Sequence, residues 1–249
     1  MIVKQQGNLT VIIADDYEGL SAAAAEIMAE QIEASPDSVL GLATGSTPIG
    51  AYKQLIEKYK AGLCFANIKA FNLDEYFPIP KTNDQSYDYF MKDQLFNHIN
   101  IKPENIHIPS GEVSDPQAEC VRYEDAIRVA GGIDLQLLGL GLNGHIGFNE
   151  PDTHFPKTTQ HTPLKQSTID ANSRFFESAD DVPKHAITMG IGTIFAARNV
   201  VMLISGEAKA DIAHAVICGN VDPQVPGSIL QLHPNATIIL DKAAAKHLL

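Results

Sequence analysis

Tryptophan is absent from the 249 residues, and arginine and cysteine are scarce. The three cysteines, Cys64, Cys120 and Cys218, lie far apart. That excludes a disulfide framework or a cysteine-rich zinc site and points to free thiols in a reducing compartment, the cytoplasm. No run of 18 apolar residues exists, so no helix is expected to span a bilayer. The opening MIVKQQGNLTVII lacks the charged, apolar and small-residue order of a signal peptide. Positive charge is also short: 18 Lys and Arg against 30 Asp and Glu leave a formal net charge of −12. Nucleic-acid and membrane-surface partners call for clustered cations, so neither is expected. The same shortage makes the four arginines, Arg122, Arg128, Arg174 and Arg198, conspicuous if the ligand is an anion. What remains is ordinary for a globular protein with a full core: 45% hydrophobic residues and a mean hydropathy of −0.05.

Apolar runs of strand length alternate with longer amphipathic stretches. LTVIIA (9–14), SVLGLAT (38–44), IKAFNLDEY (68–76), the short NIHIPSG, IDLQLLGLGL (133–142), NVVMLIS (199–205) and ATIILD (236–241) read as strands. Between them, helices are expected after Asp15 or Asp16, after Pro48, from Ser86 to His98, in DPQAECVRYEDAIRVAGG, in PKHAITMGIGTIFAA, in EAKADIAHAVICG, in GSILQL and at the C-terminus. The stretch from about 152 to 181 is polar, rich in Thr, His and Pro, and reads as a long loop. Neither a fixed-period repeat nor a linker-like segment interrupts the chain, so residues 1–249 are expected to form one domain. Repeated βα units predict an open, mostly parallel sheet with helices on both faces.

Ligands of such sheets bind at the carboxyl ends of the strands. Four of those ends carry chemistry. TGSTP follows strand 38–44, and its Gly45, Ser46 and Thr47 precede a helix whose N-terminus suits a phosphate; an ordinary strand–turn–helix junction with Thr47 as cap is the plainer alternative. Asp74 and Glu75 end the next strand, where alternation lets only one face a site; Asp74 is the choice, although periodicity does not decide it. NGHIGFNE, residues 143 to 150, presents His145 on a glycine-rich loop beside Glu150, a carboxylate able to fix its tautomer. Lys209 in GEAK and Arg174 in ANSRFF are the candidate phosphate-binding cations, with an ordinary surface cation the alternative for each. His145, His154, His161 and Glu150 lack metal-ligand spacing, so no metal is expected.

TGSTP, FNLDEY, LGLGLNGHIGFNEP, ANSRFF, VPKHAITMGIGTI and ISGEAKA, in this order, closely resemble the glucosamine-6-phosphate deaminases. The resemblance runs from about residue 10 to 241. It implies a Rossmann-like α/β fold and conversion of D-glucosamine 6-phosphate and water to D-fructose 6-phosphate and ammonia. By motif, Asp74 is then the base that moves a proton between C2 and C1, and His145 opens the sugar ring with Glu150 and Asn143 in support. Gly45, Ser46, Thr47, Arg174 and Lys209 hold the phosphate. A C1 aldehyde acidifies the C2 proton of the open chain, so no cofactor is expected.

Some members of the family have Asp where this chain has Asn143, so hydrogen bonding and orientation are its expected role. Members activated by N-acetylglucosamine 6-phosphate carry basic residues where Gln160 and Thr162 stand here, and a longer tail. An unregulated enzyme follows, with a monomer favoured over a homo-oligomer. The 152–181 stretch is a candidate lid. The alternatives are a 6-phosphogluconolactonase-like hydrolase on the same fold and a sugar-phosphate-binding regulator that has lost catalysis.

Overall fold

The structure is a computed structural model. It describes every residue except 174, 175 and 177, and of residues 171 and 179 the backbone only. Eleven strands are present among the described residues: β1 (Ile2–Gln6), β2 (Leu9–Ala14), β3 (Val39–Leu42), β4 (Lys69–Asn72), β5 (Asp74–Phe77), β6 (Ile106–His107), β7 (Leu135–Gly139), β8 (Gln160–Pro163), β9 (His185–Thr188), β10 (Asn199–Ile204) and β11 (Ala236–Asp241). Eight form one sheet in the order β1-β2-β11-β10-β7-β3-β4-β6, parallel throughout except for the antiparallel edge strand β1. The expected mostly parallel α/β fold is present.

Seven α-helices accompany the strands among the described residues: α1 (Tyr17–Ala34), α2 (Ile49–Lys60), α3 (Tyr87–Gln94), α4 (Pro116–Val129), α5 (Gln166–Asn172), α6 (Ile191–Phe195) and α7 (Ala210–Cys218). Helix α1 starts at Asp16, whose side chain accepts from the Gly19 N–H at 2.8 Å, and its alanines sustain it. Asp115 caps α4 by accepting from the N–H groups of Gln117 and Ala118. Because consecutive strand residues alternate sides, the sheet has two apolar faces, each with its own cluster. Leu40, Leu42, Ala70, Leu135 and Val201 pack with Leu20, Met28, Tyr52 and Met91 of α1, α2 and α3. On the opposite face Phe71, Leu138, Val200 and Ile238 pack with Tyr123, Ile194 and Val216 of α4, α6 and α7.

Several local expectations are corrected. IKAFNLDEY is not one strand. The chain breaks at Leu73, whose N–H donates to the Leu42 carbonyl while its own carbonyl accepts from the Met189 N–H. Asp74 therefore opens a second, antiparallel sheet in the order β5-β9-β8. PKHAITMGIGTIFAA, expected to be helical throughout, divides into strand β9 and the short α6, because His185–Thr188 finds partners on both sides. The 152–181 stretch is not a plain loop, for it contains β8 and α5. GSILQL is helical as expected, but as part of a 3-10 helix over Pro226–Leu232. Residues beyond Asp241 form turns, where a terminal helix was expected. No helix of the described residues is long and apolar enough to cross a membrane.

Candidate active site

The carboxyl ends of β3, β4, β7 and β10 surround a cavity of about 510 Å³. It is lined by the 43–48 turn, Asp74, the 139–148 loop, Ser205 and Lys209, and by Ser167, Thr168 and Asn172 of α5. Gly45, Ser46, Thr47, Asp74, Asn143, His145 and Lys209 all line this one cavity. Glu150 stands directly behind them, bonded to Asn143. Arg174 lies outside the described residues.

The 43–48 turn is anchored from below. The Tyr17 hydroxyl accepts from the Gly50 N–H at 2.9 Å and lies 3.0–3.1 Å from the carbonyls of Ser46 and Thr47. These carbonyls face α1, leaving the opposite side of the turn toward the cavity. Thr47 is not the cap of α2; Pro48 occupies that position without a side-chain bond, so the start of α2 keeps its positive end available to an anion. Lys209 enters from the 3-10 turn after β10 and donates to the Leu140 carbonyl. Burial lowers its pKa to about 8.

The two adjacent carboxylates are separated as strand alternation requires. Glu75 turns away from the cavity and accepts the N–H groups of Tyr76, Tyr87 and Asp88 at 2.9–3.0 Å, which ties β5 to the start of α3. Burial, only partly offset by those donors, lifts its pKa to about 7. Asp74 faces the cavity and is 5% exposed. Among the described residues no donor is bonded to its carboxyl; burial first, then the neighbouring Glu75 charge, push its pKa up to about 8. Gly147 keeps space open beside it. That glycine has φ +57°, and a Cβ there would stand 2.8 Å from Thr188 Oγ1 and 3.3 Å from Asp74 Oδ2.

His145 is oriented by a chain of hydrogen bonds. Its Nδ1 is 2.6 Å from Asn143 Oδ1, and Asn143 Nδ2 donates to Glu150 Oε2 at 2.7 Å. Glu150 Oε2 itself is 3.6 Å from Nδ1, beyond hydrogen-bond reach, so Asn143 is the intermediary. Although burial opposes it, the neighbouring His145, with hydrogen bonds from Thr168 and Asn143, brings the Glu150 pKa down to about 2. Since a carboxylate only accepts, Asn143 must turn its amide N–H to Glu150 and its carbonyl to His145. Nδ1 then carries the proton, and Nε2 is the basic nitrogen. The ring lies flat on Gly141, where a Cβ would come within 2.2 Å of the ring carbon Cε1.

Thr168 is a member of this chain that sequence reasoning missed; its hydroxyl donates to Glu150 Oε1. Thr168 and Asn172 are four residues apart, the spacing of one helix face, but that signal needed α5 to be recognised as a helix within the polar stretch. Tyr87, Thr44 and Ser205 also line the cavity without having been singled out. Of the other histidines, His161 lies in the second sheet against His185, and His154 is exposed. Among the described residues no three His, Cys, Asp or Glu side chains converge as a metal site.

A family model described as glucosamine-6-phosphate isomerases/6-phosphogluconolactonase matches residues 15–239. A glucosamine-6-phosphate deaminase of Clostridioides difficile (strain 630) is 54% identical over 241 residues, which cover 96% of this chain and 97% of that protein. A solved monomeric glucosamine-6-phosphate deaminase superposes with a TM-score of 0.93 at 46% identity, covering 95% of this chain and 98% of that one. A 6-phosphogluconolactonase from Trypanosoma cruzi shares the fold at 21% identity and a TM-score of 0.78, each chain covered to 96%.

Proposed function

This chain belongs to the glucosamine-6-phosphate isomerase/6-phosphogluconolactonase family, and from that premise we propose that it is a glucosamine-6-phosphate deaminase whose chemistry is carried by Asp74 and by the His145–Asn143–Glu150 chain. The observation that carries the reading is their joint placement: a buried carboxyl with no donor among the described residues and a histidine with its basic Nε2 defined line one cavity, with a cation and a helix N-terminus beside them.

The phosphate anchors the substrate. Lys209, the Gly45–Thr47 turn and the start of α2 supply the positive field, with Arg174 assigned to the same task by motif. The anchor holds C1 and C2 against the reacting groups, so binding energy remote from the chemistry is used for orientation. His145 Nε2 takes the proton of the C1 hydroxyl as the pyranose opens and then delivers it to the ring oxygen. The imidazolium so formed is stabilised through Asn143 by the ionised Glu150, as an orienting acid stabilises a triad histidine.

The open chain has an aldehyde at C1, which acidifies the proton on C2. The substrate's protonated amine beside Asp74 favours the carboxylate form of a group whose own environment favours the neutral acid. Asp74 then takes the C2 proton and returns it to C1. The enolamine between these transfers becomes an imine at C2. Water adds there, ammonia leaves, and fructose 6-phosphate remains. Each step is proton transfer or hydrolysis, which imidazole, carboxyl and water can carry. A base with a raised pKa suits this reaction because its conjugate acid gives the proton back readily.

The segment near 152–181 acts as the lid over this site, and the chain acts as a monomer without N-acetylglucosamine 6-phosphate activation. Gln160, at one of the positions where activated members carry a base, is engaged with Asn149 Oδ1 at 3.1 Å. Hyperbolic kinetics unaffected by N-acetylglucosamine 6-phosphate are expected; a sigmoidal curve abolished by that sugar contradicts this part. The main test is a coupled assay for ammonia and fructose 6-phosphate from glucosamine 6-phosphate. Turnover is expected for the native protein and near-complete loss for Asp74→Asn with substrate binding retained. Lactone hydrolysis without ammonia release overturns the deaminase reading in favour of a 6-phosphogluconolactonase.

A further inference from the structure

We infer that Thr168 is a positioning residue for ring opening: its hydroxyl, carried on α5, holds Glu150 in the orientation that sets Asn143 and, through it, the tautomer of His145. The inference rests on the deaminase reading.

Glu150 has two oxygens and each has its own donor. Oε2 takes Asn143 Nδ2 at 2.7 Å, and Oε1 takes the Thr168 hydroxyl. The terminal torsion of a glutamate is broad and nearly two-fold, so a single donor leaves the plane of the carboxylate poorly defined. The second donor defines it. The side chain is only 8% exposed, so water is a poor replacement for Thr168.

The consequence propagates by donor and acceptor identity alone. A carboxylate fixed in front of Asn143 demands an N–H from it, so Asn143 must present its carbonyl to His145, and Nδ1 must carry the hydrogen. If Glu150 turns away, only the 3.2 Å bond from the His145 backbone N–H to Oδ1 still opposes a half-turn of the Asn143 amide. Its N–H then faces Nδ1, which must accept, and the proton of the neutral ring moves to Nε2. A histidine in that tautomer has no lone pair at Nε2 with which to take the C1 hydroxyl proton. Thr168 thus acts through two residues on the nitrogen that reacts.

The arrangement also makes the histidine conditional on α5. The same helix packs Ile169 into a cluster with Tyr76 and Phe148, and Phe148 belongs to the His145 loop. Ser167, Thr168 and Asn172 of this helix all line the cavity. Seating of α5 over the cavity and selection of the reactive tautomer are therefore one event, so that His145 is competent only when the site is covered.

The test compares the native protein with Thr168→Val, which keeps the shape and removes the donor, and Thr168→Ser, which restores it. Nitrogen NMR on histidine-labelled, substrate-free protein reads the His145 tautomer, and steady-state ammonia release reads kcat and KM. Native protein and Thr168→Ser should show the Nδ1–H form. Thr168→Val should show a mixture and a kcat reduced about ten- to a hundredfold, the usual worth of one charged hydrogen bond, with little change in KM. In a Glu150→Gln background, Thr168→Val should add almost nothing. A native tautomer and kcat in Thr168→Val, or fully additive losses in the double variant, overturn the proposal. Thr168→Ala serves as the donor-free variant if the valine protein does not fold. Absence of ammonia release from the native protein refutes the deaminase reading instead, and leaves the tautomer comparison to decide the positioning role.

Discussion

Replacing Asp74 by Asn should abolish turnover and at the same time make the protein more stable, increasingly so as pH rises. The carboxyl is 5% exposed and without a hydrogen-bond donor among the described residues, and its pKa is pushed to about 8 from an ordinary 3.8. In the unfolded chain it ionises near the ordinary value. Folding with a group of raised pKa is unpenalised below that value, and the associated stability is lost progressively as pH climbs from about 4 to 8. Asparagine has nearly the same shape and nothing to ionise, so the variant escapes the loss. At 1.36 kcal/mol per pH unit the difference at pH 7 is roughly 2–4 kcal/mol, the lower figure allowing for water in the open cavity. For a chain of this size that is on the order of 4–15 °C in Tm. Chemical denaturation of both proteins between pH 4 and 9 gives the curve directly. Equal stability at pH 4 and a widening gap in favour of Asp74→Asn up to about pH 8 are expected. A gap that stays flat with pH, or one that favours the native protein at pH 8, refutes the claim that Asp74 is held against its own ionisation.

The pH dependence of kcat/KM should be a bell centred near 8, because Asp74 must lose its proton near about 8 and Lys209 must keep its own, which it loses near about 8. Lys209→Met should raise KM, leave kcat less affected and remove the high-pH limb; a retained limb refutes the assignment. Gly141→Ala should cut activity about a hundredfold without unfolding the protein, since the new Cβ would meet the His145 ring 2.2 Å away; a normal rate would show that the ring's seat on Gly141 is irrelevant. Glu75→Ala should cost about 2–4 kcal/mol in denaturant unfolding by stranding three backbone donors around the start of α3; a loss under 0.5 kcal/mol would contradict its structural role.

Much of the site could be read from the residues because its chemistry is local. A glycine-rich turn after a buried strand, a histidine flanked by glycines and a carboxylate at a strand end are each written within a few residues. The rule that parallel sheets bind ligands at their carboxyl edge places such turns together without knowledge of the strand order. The long apolar runs at 9–14, 135–139, 199–204 and 236–241 are unambiguous for the same reason: a strand buried on both faces needs no partner pattern to announce itself.

What only the tertiary structure decided depends on partners distant in the chain. Nothing in FNLDEY marks Leu73 as the point where one sheet ends and another begins; that follows from its bonds to Leu42 and Met189. That break sets Asp74 toward the cavity and Glu75 toward α3, a choice alternation permits but cannot make. His185–Thr188 is a strand because β5 and β8 flank it, against a local pattern compatible with a helix. Thr168 is tied to Glu150 only when α5 folds back over the cavity. Local propensity and spacing thus determined which chemical groups this chain carries. Long-range hydrogen bonds, whose partners lie from about 18 to more than 100 residues away, decided which way those groups face.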